Sequence, residues 1–198
     1  MPVNVNHQAR RLAIAGIVAD IIASKGLDGV TIRNVAAAAG YSTTIVTHYF
    51  SGKYDLLKHS HQVAAAHAQK RVHAVLARDP TDLQGCLEAL LPLTKASLRD
   101  WKIYFAFWQV ATFDAEFTEQ EKRSAQHARD LIAITLDARR EAGLLPADSD
   151  IPALARRLLT IIQGIATQAI VDGVEWSPAR QREFLASELR LVSLIGDP

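Results

Sequence analysis

The chain has 198 residues, 49% of them hydrophobic and 22% charged, with a formal net charge of +1 and a single cysteine. That is long enough to bury a core and too apolar for intrinsic disorder, and Cys86 alone leaves no internal disulfide. A pI near 7.9 announces no polyanion partner in bulk, so composition indicates only a soluble, cytosolic, globular chain.

Leu12, Ile14, Ala15, Val18, Ile21 and Ile22 recur at helical spacing, and Gly26 is the stop signal after Lys25. Arg10 and Arg11 ahead of this apolar run look superficially like a signal peptide, but Asp20 and Lys25 interrupt it. Thr31 is an N-cap for a short helix through Ala39 that Gly40 ends, and Ser42 caps another to about Tyr49. A long helix follows from Lys53 to about Arg78, broken by Asp79-Pro80-Thr81-Asp82. Further helices are predicted over 82–99, 101–113, 116–142, 151–172 and 178–195, the last announced by Ser177-Pro178. No segment alternates long enough for a sheet, and none reaches the ~20 apolar residues of a membrane span. The expected fold class is all-α, with about nine helices.

Charge is unevenly placed. Residues 1–60 hold six basic side chains (Arg10, Arg11, Lys25, Arg33, Lys53, Lys58) against Asp20, Asp28 and Asp55, while the remainder has an excess of two acids. Such asymmetry hints at a polyanion partner for the N-terminal segment. Within it, two short helices meet at a glycine turn, the arrangement of a helix-turn-helix. The second would present Thr43, Thr44 and Thr47 outward, short hydroxyl side chains suited to base edges and phosphates, with Ile45, Val46 and Phe50 as apolar anchors. An ordinary helical hairpin with a solvated face is the alternative for the pair taken alone.

The strings TIRNVAAAAG (31–40), STTIVTHYF (42–50) and GKYDLL (52–57) together resemble the DNA-binding domain of the TetR family of repressors. The resemblance implies a three-helix helix-turn-helix domain over 1–52 and a helical effector-binding and dimerisation domain over 53–198. It also implies a ligand-responsive repressor that binds a palindromic double-stranded operator as a homodimer, without a catalytic site, cofactor or membrane contact. Position by position, it places base contacts at Arg33, Thr43 and Thr44, with apolar contact at Ile45. Phosphate contacts fall at Thr31, Thr47, Tyr49 and Lys53, with Ser42 at the cap. His48 is open between phosphate donation and packing. Thr44 and Thr47 depart from the family's usual small residue or proline and aromatic, so an operator is not read across by analogy. A helical ligand-binding protein or enzyme without DNA binding is the competing class; no nucleophile–base set or phosphate loop supports it.

In the C-terminal part, Ile151, Leu158, Ile162, Ile165 and Ala169 form an apolar seam, widened by Leu154 and Ile161. Phe184, Leu185 and Val192 give the last helix a similar one. Both are expected in a two-fold four-helix interface, against the alternative of burial within one subunit. Seven of the 13 aromatics fall between 101 and 117, and Trp101, Tyr104, Phe105 and Trp108 share one helical face. Core packing is one reading. The other is an effector pocket that also takes in Phe113, since the segment is similar to that of the choline-responsive betaine-operon repressors and aromatic faces attract quaternary amines. His59, His61, His67 and His73 lie on one helix without the i, i+4 spacing of a metal pair, so no metal site is expected.

Overall fold

Capping decides where the first helices begin and end. The Thr31 side chain accepts from the Asn34 N–H (3.1 Å) and the Ser42 side chain from the Ile45 N–H (3.3 Å), setting the starts of α2 (Ile32–Ala39) and α3 (Thr43–Tyr49). Between them Gly40 sits at φ 66°, the left-handed conformation, and Tyr41 N–H returns to the Ala36 carbonyl (2.9 Å) to close α2. The computed structural model describes residues 7–191. Among these the remaining helices are α1 (His7–Lys25), α4 (Lys53–Leu76), α5 (Leu83–Glu88), α6 (Lys95–Ala111), α7 (Ala115–Glu141), α8 (Ile151–Val171) and α9 (Pro178–Leu191). A 3-10 turn, Leu27–Gly29, joins α1 to α2. The expected all-α class and helix number hold among the described residues.

One boundary differs from the expectation. The helix expected over 82–99 stops at Glu88, and its last residues belong instead to α6, which runs without a break through Trp101. Pro92 interrupts the first segment, and Thr94 with Ser97 starts the second. The Ser97 N–H donates to Thr94 Oγ1 (3.1 Å) and the Ser97 hydroxyl accepts from the Thr94 N–H (3.0 Å).

The chain divides into two compact units. The first takes residues up to 65 and 102–118. In it Ile14, Val18 and Ile22 of α1, Val35 of α2, Val46 of α3, Phe50, and Leu56 and Leu57 of α4 share one core with Ile103, Phe107 and Phe117. The second takes residues 66–101 and 119 onward, with a core that includes Leu83, Leu87, Ile132, Leu136, Leu158, Ile162 and Leu189. The helices α4, α6 and α7 each contribute residues to both units. No helix among the described residues is long and apolar enough to cross a membrane.

Candidate functional site

Burying Val46 and Phe50 turns the opposite side of α3 outward, and Thr43, Thr44, Ile45, Thr47 and His48 are all exposed there. Thr31, Arg33 and Ser42 are exposed nearby on the α2 end of the motif. Thr31 and Ser42 spend an acceptor lone pair on their caps, which leaves each hydroxyl an O–H to donate to phosphate. The Thr47 hydroxyl donates to the Thr44 carbonyl (3.1 Å). Tyr49 and Lys53 are half-buried at the end of α3 and the start of α4. The α4 start is fixed by the Asp55 carboxylate, which accepts from the Ser51 N–H (3.0 Å). Lys53 Nζ lies 3.6 Å from the Asp28 carboxylate, so a phosphate reaching this ammonium has a fully exposed intramolecular competitor.

Sequence reasoning passed over Arg11. Its guanidinium stands 4.5 Å from the Phe50 ring centroid and donates to the Tyr49 carbonyl (2.7 Å), satisfying an open acceptor at the C-terminus of α3. The partners are 38 residues apart in sequence, and no local pattern joins them.

Of the expected effector residues, Tyr104, Phe105 and Trp108 are half-buried on α6, with Phe105 and Trp108 ring centroids 5.1 Å apart. Trp101 is buried, and its indole N–H donates to the Leu90 carbonyl (2.8 Å). Phe113 does not join them: it lies beyond the end of α6 and is 94% exposed, because the chain turns there into α7. The aromatic face of α6 meets α4 in the first unit. His61 stacks on Phe107 (3.9 Å between centroids) and stands edge-on to Tyr104 (5.2 Å). Phe107 packs on Phe117 (4.7 Å), over which Lys58 lies (4.9 Å) while pairing with Glu116. In the second unit the buried Asp100 accepts from Arg71 (3.0 Å) and lies 3.2 Å from His67. Among the described residues no cluster of three or more His, Cys, Asp and Glu could hold a metal ion.

The expected dimer residues fall mainly on the inner faces of α8 and α9. Ile151, Leu158, Ile162, Ile165, Ala169 and Leu185 are buried within the single chain, and Phe184 is exposed. Val192 lies outside the described residues. The outer face of α8 carries Arg157, Ile161, Gly164, Gln168 and Val171, the last 78% exposed.

Comparison with known proteins covers both parts of the chain. Residues 19–59 match the family described as bacterial regulatory proteins, tetR family, and residues 80–193 match the BetI-type transcriptional repressor C-terminal family. The chain is 28% identical over 196 residues to the HTH-type transcriptional regulator PksA of Bacillus subtilis, covering 97% of this chain and 94% of that protein. It is 33% identical over 121 residues to the HTH-type transcriptional regulator BetI of Burkholderia ambifaria, covering 58% of this chain and 61% of the other. Its fold matches that of a transcriptional regulator from Saccharomonospora viridis, solved in complex with choline, at a TM-score of 0.82 and 22% identity, over 92% of this chain and 96% of that one.

Behind α3 lies one titratable group with a pH signature. His59 of α4 packs against Phe50 (5.5 Å between centroids), and its buried Nε2 has no hydrogen-bond partner. Burial and then the charge of Arg11 hold its pKa below the ordinary 6.5; hydrogen bonding to the Arg11 backbone and to Gln62, and the charge of Asp55, oppose this more weakly. The unfolded chain therefore takes up this proton first as pH falls. The stability contributed by the neutral ring is complete above pH ~6.5 and is lost on acidification through the depressed folded value. His59→Gln should flatten the fall in stability below pH ~6.5, read as denaturation midpoints of wild type and variant across pH. Parallel profiles would remove His59 as the source.

Proposed function

This chain belongs to the TetR family of bacterial regulatory proteins, with a BetI-type C-terminal domain, and from that premise we propose that it represses transcription as a homodimer on a palindromic operator and is released by a small cationic effector. The family is one of transcriptional regulators, not enzymes. The observation that carries the reading is the outward row of Thr43, Thr44, Ile45, Thr47 and His48 on a short helix whose other side is locked in the core. Residues 1–52 are assigned to DNA reading and 53–198 to effector binding and dimerisation, in the cytoplasm.

At the DNA, Arg33, Thr43, Thr44 and Ile45 are assigned to base edges, and Thr31, Ser42, Thr47, His48, Tyr49 and Lys53 to phosphates, Thr47 by turning its O–H from the Thr44 carbonyl to the phosphate oxygen. Few long polar readers are present, so DNA shape supplies part of the specificity. Lys53→Ala should weaken binding to every duplex and reduce the slope of log K against log salt by ~1 for each bound subunit, about 2 for the dimer, measured by fluorescence anisotropy over a salt series. An unchanged slope would take Lys53 out of the phosphate contacts.

For the dimer, the core-facing seam leaves the outer faces of α8 and α9 for the partner. Gly164 sits exposed in the middle of α8, where a glycine costs ~1 kcal/mol relative to alanine, and an added Cβ would meet nothing in its own chain. A close backbone approach by a second α8 explains a glycine there. Gly164→Arg improves helix propensity and clashes with nothing internal, yet it should convert the dimer to monomer in light scattering at micromolar concentration. A wild-type monomer, or a variant dimer of unchanged stability, would overturn this interface.

For the effector, the faces of Tyr104, Phe105 and Trp108 suit a quaternary ammonium group. The choline-bound relative and the BetI likeness support that class. Choline titrated calorimetrically should give saturable heat and weaken DNA binding, by the same factor that DNA weakens choline binding, and Trp108→Ala should lose at least about tenfold in choline affinity. Flat heats with both choline and betaine aldehyde would reject the class.

A further inference from the structure

We propose that the first turns of α1 form a second phosphate-binding edge of the reading head, in which Arg10 and Tyr49 hold one backbone phosphate of duplex DNA together. The proposal rests on the DNA-binding reading and extends it to a helix outside the helix-turn-helix pair. The Arg10 guanidinium stands 5.6 Å from the Tyr41 ring centroid and 5.9 Å from that of Tyr49. Its Nη1 lies 3.4 Å from the Tyr49 hydroxyl and donates to it. His7 lies against Tyr49 (5.5 Å) and beside His48 (6.2 Å), and His48 meets Tyr49 edge-on (5.2 Å). The last turn of the reading helix and the first turns of α1 are thus one continuous polar and aromatic surface.

The two neighbouring arginines divide the work. Arg11 points inward, committed to the Tyr49 carbonyl and the Phe50 ring. Arg10 is half-buried between two tyrosine rings, which limits its rotamers while leaving most of its five N–H donors uncommitted to the tyrosine. A phenol that accepts from a guanidinium keeps its own O–H as a donor, and the positive charge strengthens that donor. A phosphate oxygen in front of Tyr49 would then receive the phenolic O–H and an Arg10 N–H together, a charge-assisted pair. Local charge favours an anion here, because Arg10 and Arg11 both bring a guanidinium to Tyr49. The backbone phosphodiester is the occupant that fits, since this surface continues the exposed face of α3.

The test uses the full-length protein and an operator recovered with it from random duplexes by in vitro selection. Binding is measured over a salt series for wild type, Arg10→Gln, Arg10→Lys, Tyr49→Phe and the double variant Arg10→Gln/Tyr49→Phe, with thermal melting as the folding control. Arg10→Gln should lose at least about tenfold in affinity at 0.1 M salt and reduce the salt slope by ~0.9 for each bound subunit, about 1.8 for the dimer. Arg10→Lys should keep the wild-type slope while losing part of the affinity, because a point charge replaces the fork. Tyr49→Phe should weaken binding at unchanged slope. The double variant should be little weaker than Arg10→Gln alone, because both groups serve one phosphate. An unchanged slope in Arg10→Gln, or additive losses in the double variant, overturns the proposal while DNA binding stands. Recovery of no duplex by the wild type overturns both.

Discussion

A helix of seven residues has almost no stability of its own, since nucleating a turn costs more than so few hydrogen bonds return. The orientation of α3 is therefore set by what stands behind it. Val46 and Phe50 enter the core, Ser42 caps its N-terminus, and Arg11 donates from another helix to the Tyr49 carbonyl at its C-terminus. In the proposed function every base contact depends on this support, because a reading helix that tilts loses its register in the groove.

That core is not private to the helix-turn-helix. Phe107 and Phe117 share it with Val46 and Phe50, and His61 of α4 stacks on Phe107 of α6. Lys102 of α6 donates to the Ala23 carbonyl near the end of α1 (3.1 Å), a further tie within the same unit. The aromatic residues proposed for effector binding thus lie in the same turns of α6 as Ile103 and Phe107, and Tyr104 and Trp108 pack against that core themselves. Close-packed interiors transmit displacement instead of absorbing it, so a shift of α6 has little room to stay local.

Polar chemistry makes the same connections more selective. Lys53 is shared between Asp28 and its proposed phosphate, Lys58 between Glu116 and the Phe117 ring, and Asp100 between Arg71 and His67. The buried Asp100 depends most on its partners, since an uncompensated carboxylate in that position would be costly. The exposed Lys53–Asp28 pair is worth little to stability and matters chiefly through the local field.

The motif itself was legible in the sequence because caps and glycine stops act over three or four residues: Thr31, Gly40 and Ser42 do in three dimensions what their spacing predicts. The α5–α6 boundary was misplaced because Pro92 and the Thr94–Ser97 cap carry weaker signals than the apolar run around them. Periodicity likewise marked the apolar faces of α8 and α9 without saying what covers them. An apolar stripe reads the same whether its own chain or a partner buries it, and Ile162 and Leu185 proved to be interior. Phe113 shows the converse, an aromatic near an aromatic face that the chain turns into solvent. By itself, then, the sequence determined the helices and the reading motif, whose bonds are local. Only the tertiary structure decided which faces are occupied and that Arg10 and Arg11 meet Tyr49, because those contacts join residues close to 40 positions apart.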